Sequence, residues 1–419
     1  MCWSRSWWCQ SYSPHSCCSS RPSAHRWPTA CHPPSSRARR RTLRRRPRGR
    51  RARRDSAFDS RFPVTACSIS IYLLQVDLSP MPLGRLRVAA WTSALAALLV
   101  AVCTAGAALG TIHIPPRFVV ASALNAAGID TGVAVPDPYP FVVVHLRLPR
   151  IVLGAVVGAG LASAGTVMQG FFRNPMADPA IIGVSSGAAA GAVVVIAAGL
   201  ALPFGLPAAA FCGALLAGFG VYAIATEGGR TPVATLLLAG VAVQTFLGAV
   251  VSFLLVRTDQ HSLREAIVWL MGSLRDTYWH EVTLALPVVL AGIIVLLAYA
   301  RDLNVLLLSE EDAHALGIEV ERTKRVLLAV SAIVTAACVA YVGVIGFVGL
   351  VVPHVMRLLV GPDHRILLPT SALAGGVFLV AVDTFARLGA AGLPVGVVTA
   401  FVGAPFFLYL LRKREVHEL

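Results

Sequence analysis

LNVLLLSEEDAHALGIEVERTKR, residues 303–325, is the longest charged interruption in an otherwise apolar chain, and its reading decides the fold. It holds Glu310, Glu311, Asp312, His314, Glu319, Glu321, Arg322, Lys324 and Arg325, whereas the sequence on either side keeps its charges mainly at the ends of long apolar runs. A charge at the bilayer centre costs about 2.5–3.5 kcal/mol even on the lenient insertion scale, so this segment has to lie in water between two membrane-embedded halves. Ser309, three residues ahead of Asp312, reads as a helix N-cap, and Gly317 reads as a left-handed stop. Together they predict a short surface helix. Held out of a membrane protein, such a helix fits a docking element, although the same residues would also serve an ordinary solvated loop.

Outward from this segment, 56% of the residues are hydrophobic, 14% are charged and the mean hydropathy is +0.71, which places the chain among polytopic membrane proteins. The formal charge of +15 resembles a nucleic-acid signal, but 16 arginines against three aspartates sit in residues 1–80, and the rest of the chain is nearly neutral. Six of the nine cysteines fall in that stretch too, while Cys103, Cys212 and Cys338 are scattered singly, so neither a disulfide framework nor a metal-ligand spacing is supported. Residues 1–80 culminate in RARRRTLRRRPRGRRARR (37–54), with no apolar face that could fold and no signal-peptide core. They are expected to be a disordered extension. A start placed too early, with the natural one at Met81, is favoured over a polybasic membrane arm or a nucleic-acid-binding arm.

A helix needs about 20 apolar residues to cross about 30 Å of hydrocarbon. Ten stretches fit, near 86–110, 148–170, 181–201, 206–226, 233–256, 283–301, 324–343, 346–360, 367–389 and 394–412, the eighth being short and the third glycine-rich at its start. The expected fold is all-α: a membrane domain over residues 81–419 with ten transmembrane helices and a short helix between spans six and seven. Arg85 and Arg87 flank the start of the first span, and Arg412, Lys413 and Arg414 end the last, so the positive-inside rule puts both termini and the charged segment on the cytoplasmic side.

Gly154, Gly158, Ala162 and Thr166 in the second span, and Gly396, Ala400 and Ala404 in the last, recur four apart and predict close helix packing. Gly240, Gln244, Gly248 and Ser252 in the fifth are small and polar at once, so they either pack by hydrogen bonding or face a wet pathway, the latter being the favoured expectation. Arg147, Arg150 and Arg387 fall on the outer side against the charge rule, which fits an acidic external partner or snorkelling to lipid phosphate. Of the chain's two lysines neither follows glycine, so there is no phosphate loop for ATP. Residues 183–187 match G-x-S-x-G but open an apolar helix with no preceding strand, and His354 and His364 are poorly spaced for a metal. No catalytic residue or metal site is predicted.

RLPRIVLGAVVGAGLASAGTVMQGFFRNPMADPAIIGVSSGAAAG (147–191), TLLLAGVAVQ (235–244), WLMGSL (269–274), EEDAHALGIEVERTKR (310–325), GVIGFVGLVVPHVMRLLVGPDHRILLP (343–369) and LPVGVVTAFVGAPFFLYLL (393–411) follow one another in an order that resembles the FecCD-type permease subunits of ABC importers for iron-siderophores, haem and cobalamin. The resemblance implies ten helices and a dimer of permease chains. It implies that Glu310, Asp312, His314, Ala315, Leu316 and Gly317 form a coupling helix seated on an ATPase subunit, and that Arg147, Arg150 and Arg387 receive acidic side chains of a substrate-binding protein. Asn174 and Met176 match the cytoplasmic gate; Val233 and Ala234 stand in the other gate strand, where some relatives carry small hydroxyl residues.

The expected partners are thus a cytoplasmic ABC ATPase, which would hold ATP and magnesium, an extracytoplasmic binding protein, a second permease copy and the bilayer, with no nucleic acid and no cofactor on this chain. It is read as a transporter subunit in the bacterial cell membrane rather than an enzyme. A ferric siderophore is the first-choice cargo, with cobalamin or haem as alternatives. An ion-coupled secondary transporter is the competing class, and Asp383, the only acidic residue well inside a span, is the position that would favour it.

Overall fold

The computed structural model describes residues 82–110, 112–200, 205–388 and 392–413; the extension over residues 1–80 lies outside the described residues. Among the described residues the architecture is helical, with no strand beyond an isolated bridge between Glu227 and Arg230. In chain order the helices are α1 (Pro82–Ala108), α2 (Pro116–Ala126), α3 (Tyr139–Phe171), α4 (Val184–Ala197), α5 (Gly205–Ala225), α6 (Val233–Arg257), α7 (Gln260–Leu270), α8 (Trp279–Ala298), α9 (Ala300–Leu306), α10 (Glu310–Ala315), α11 (Val320–Val342), α12 (Val348–Val360), α13 (His364–Leu388) and α14 (Val395–Lys413).

Each of the ten expected spans meets a helix. Seven of these, α1, α3, α5, α6, α8, α11 and α13, are long and apolar enough to cross a membrane, while α4, α12 and the apolar part of α14 are shorter. Two helices lie between spans where none was expected. These are α2, which starts on Pro116, and α7, whose cap Asp259 accepts from the His261 and Ser262 N–H groups. The second span also begins earlier than its apolar run, because α3 continues back to Tyr139 through a π turn at Val142–Arg147. Pro149, just beyond that turn, cannot supply an N–H to the preceding turn, and a wider coil there absorbs the mismatch.

The core forms around α3, which is apolar on every side and buried along most of its length. Lipid provides no hydrophobic drive between helices, so close backbone approach holds the bundle. A Cβ on Gly158 would lie 2.2 Å from the Gly375 carbonyl oxygen of α13, and one on Gly165 would overlap the Gly349 backbone of α12, so only glycine permits either contact. At the N-terminal end of α12, Ser273 N–H donates to the Val342 carbonyl (2.7 Å) and Gly396 N–H to that of Gly272 (3.2 Å), which brings the WLMGSL, GVIGF and LPVG segments together.

Candidate coupling and gate site

The short helix α10 forms for the local reasons its sequence gives. Ser309 Oγ accepts the Asp312 N–H (2.9 Å), and three acidic residues sit in the first turn, where the helix dipole favours them. Its far end closes with two reverse bonds, Ile318 N–H to the Ala313 carbonyl and Gly317 N–H to that of His314 (both 3.0 Å), with Gly317 at φ +84°. Ala313 is fully buried and anchors the helix, while Glu310, Asp312, His314, Ala315, Leu316 and Gly317 are exposed. Leu308 and Leu316, 63% and 65% exposed, flank it as apolar points on a polar surface, which suits a protein partner.

A cleft of about 270 Å³ beside this helix is lined by Phe172, Arg173, Val233, Leu306, Glu310 and Lys324. It lies between α10 and the segments that carry the predicted gate residues. Arg173, at φ +45°, turns the chain out of α3 and donates through Nη2 to the Leu306 carbonyl (2.6 Å) at the end of α9. Exposed Asn174 then folds back so that its Oδ1 accepts the Met176 N–H (2.9 Å). Asp178 caps the following turn, Pro179–Ile182, through the Ala180 N–H (2.8 Å); burial, partly offset by that bond, pushes its carboxyl above the usual value. Val233, half-buried, and exposed Ala234 open α6 on the other side of the cleft.

The small polar stripe on α6 divides. Gly240 is pressed against the Ile181 carbonyl, and Gln244 Nε2 donates to the carbonyls of Ala180 (3.0 Å) and Ile181 (2.7 Å), so these two take the hydrogen-bonded packing role. Gly248 and Ser252 stay exposed, with Ser252 Oγ donating back to the Gly248 carbonyl (2.8 Å). The favoured wet-pathway reading therefore has no support at Gly240 and Gln244.

At the opposite end of α3, the three arginines are engaged within the chain. Arg147 is buried and donates to the carbonyls of Ala107, Ala108 and Ile112. Arg150 grips Asp383 with Nε (3.0 Å to Oδ2) and Nη2 (2.7 Å to Oδ1). Arg387 lies 3.1 Å from the same carboxylate and donates to the Gly106 carbonyl (3.0 Å). The cluster ties α1, α3 and α13 together. Asp383, 1% exposed, is held by two guanidiniums and so acts as a structural post, which removes the one feature that favoured an ion-coupled transporter.

Sequence reasoning passed over Lys324, which is buried and reaches both Glu310 Oε1 (2.7 Å) and Glu321 Oε1 (3.1 Å). The E-x-x-K spacing from Glu321 to Lys324, at one of only two lysines, was its legible signal.

The FecCD transport family matches residues 97–413. Similar proteins include the cobalamin import system permease protein of Halobacterium salinarum, 54% identical over 364 residues, covering 80% of this chain and 98% of that one. The hemin transport system permease protein of Yersinia pestis is 44% identical over 283 residues (65% and 83%), and the iron(3+)-hydroxamate import system permease protein of Bacillus subtilis 38% over 282 (65% and 84%). Among solved structures, one described as an inward-facing conformation of a metal-chelate type ABC transporter superposes with a TM-score of 0.67 at 33% identity, over 77% of this chain and 98% of that one.

Proposed function

We propose that this chain, which belongs to the FecCD transport family, carries cobalamin into the cytoplasm. The class of activity follows from the family: the chain is a multi-pass membrane permease of an ABC importer for cobalamin, haem or iron chelates. Within that class iron chelates rank first on commonness alone. The observation that moves cobalamin ahead is the 54% identity that runs along 98% of the Halobacterium salinarum cobalamin permease.

In this reading α10 is the coupling helix. Its capped ends, buried Ala313 anchor and exposed Leu308 and Leu316 suit a rigid element seated on a cytoplasmic ATPase. That partner would bind ATP and magnesium and supply the hydrolysis, and this chain would bind no cofactor and perform no chemistry. Asn174, Met176, Val233 and Ala234 would form the gate that its movement opens, with the termini on the cytoplasmic side. A second permease copy would complete the pathway along the exposed C-terminal half of α6 with Gly248 and Ser252. A separate binding protein would deliver the cargo at the Arg147, Arg150 and Arg387 end.

Reconstitution with the cognate ATPase and binding protein tests this. ATP-dependent, saturable uptake of cyanocobalamin that survives collapse of the proton gradient is expected. Uptake of haem or a ferric hydroxamate with none of cyanocobalamin would overturn the cargo, and uptake without the ATPase would overturn the mechanism.

A further inference from the structure

Lys324 bridges α10 and α11 beside the start of α6. Its ammonium sits at the first turn of α11, with a side chain only 6% exposed, between Glu310 of α10 (2.7 Å) and Glu321 of its own helix (3.1 Å). The second oxygen of Glu321 accepts the N–H of buried Thr231 (3.3 Å), two residues before α6 begins at Val233. Through Gly240 and Gln244, α6 in turn holds the Pro179–Ile182 turn that follows Asn174 and Met176. On the far side of the cleft Arg173 holds the Leu306 carbonyl, three residues before the Ser309 cap.

A lysine removed from water has to keep its counter-charges, because an uncompensated ammonium in a low-dielectric site is strongly disfavoured. A displacement of α10 therefore has two outcomes: Glu310 carries Lys324, Glu321 and the start of α6 along with it, or the buried ammonium loses one of its two counter-charges and keeps Glu321 alone. The exposed pair Arg322–Glu319 (3.4 Å, about 70% exposed on both sides) has water to fall back on and imposes no such constraint.

We infer that Lys324 is a positioning residue that pins α10 to the N-terminal ends of α11 and α6, so that movement of the coupling helix is delivered to both gate strands. This rests on α10 being the coupling helix.

The test uses the full chain assembled with its ATPase, and Met176→Cys in a background with all nine native cysteines of the chain replaced. The ATP-induced change in maleimide labelling of that cysteine, per ATP hydrolysed, reports gate movement without depending on the cargo. Lys324→Met is expected to lower this ratio by about fivefold or more, and Lys324→Arg to restore most of it. A merely structural lysine would change the yield of assembled complex and leave the ratio alone. Glu310→Gln, altering a half-exposed side chain, is expected to reproduce the loss, and the double variant should add nothing further, as for groups that act as one unit.

A wild-type ratio in Lys324→Met, or losses that simply add, would overturn the inference. If Lys324→Met does not assemble, a wild-type ratio in Glu310→Gln overturns it alone. Ala315→Arg separates this failure from that of the underlying reading. Normal gate movement in Ala315→Arg removes the coupling helix itself, whereas a dead Ala315→Arg beside a normal Lys324→Met removes only the pin.

Discussion

Gly317→Val probes the proposed coupling role of α10 through its backbone alone. Gly317 sits at φ +84° on an exposed turn, and a Cβ built there meets nothing within 4 Å, so the cost of a β-branched residue is argued from its backbone conformation. A β-branched residue in the left-handed region is strained by roughly 1–3 kcal/mol, which shifts the local equilibrium of the stop by about 5- to 150-fold. The two bonds that close α10, from Ile318 and Gly317, depend on that conformation, and a six-residue helix has few others to fall back on. Exposure of the site keeps the cost local, so membrane assembly should survive. In the reconstituted transporter, Gly317→Val should lose uptake together with substrate-stimulated ATP hydrolysis. Gly317→Asn, which tolerates the left-handed region, should retain most of both. The reasoning is refuted by wild-type stimulation in Gly317→Val, and equally by an asparagine variant as impaired as the valine one, since strain would then not be the cause.

Two further substitutions test the packing that holds the site. Asp383→Ala leaves Arg150 and Arg387, 19% and 16% exposed, without their shared counter-charge, and should cost about 3–5 kcal/mol in thermal or denaturant unfolding in detergent; a loss below about 1 kcal/mol would contradict the clamp. Gln244→Leu strips the donor from the Ala180 and Ile181 carbonyls at a cost of about 1–3 kcal/mol and should speed amide exchange around residues 176–183. Unchanged exchange there would show that the turn does not depend on α6.

The spans were legible because length and hydropathy are properties of single segments, and so were Ser309 and Gly317, whose roles are set by their own backbone. Helices α2 and α7 were not, since 11-residue amphipathic elements fall below the length that marks a span. The α6 stripe misled for a geometric reason. Successive steps of four residues advance about 40° around a helix of 3.6 residues per turn, so Gly240 and Ser252 end about 120° apart, and one end packs while the other is open. The pairing of Lys324 with Glu321 was legible in their spacing, but its burial was not, because that depends on α10 and the start of α6 lying beside it.

Arg147, Arg150 and Arg387 show how a charge that breaks a sequence rule can answer to two causes at once. Read along the chain, Arg147, Arg150 and Arg387 await an acidic partner from outside; in the fold, Asp383 and the carbonyls of α1 and its following loop already engage them. One carboxylate among three guanidiniums still leaves two positive charges uncancelled, in a region where little water screens them. Their field therefore extends past the clamp to an approaching acidic surface, falling off over a Debye length of about 8–10 Å. Clamping and steering are thus compatible, but reversing these charges cannot tell them apart, because Arg150→Glu would set a carboxylate against Asp383 and damage the fold first. Salt separates them. Rising ionic strength should slow association of the binding protein with the permease while the partly buried clamp, and with it the unfolding temperature, stays nearly constant. An association rate that is flat from low to high salt would leave the arginines with the clamp as their whole role.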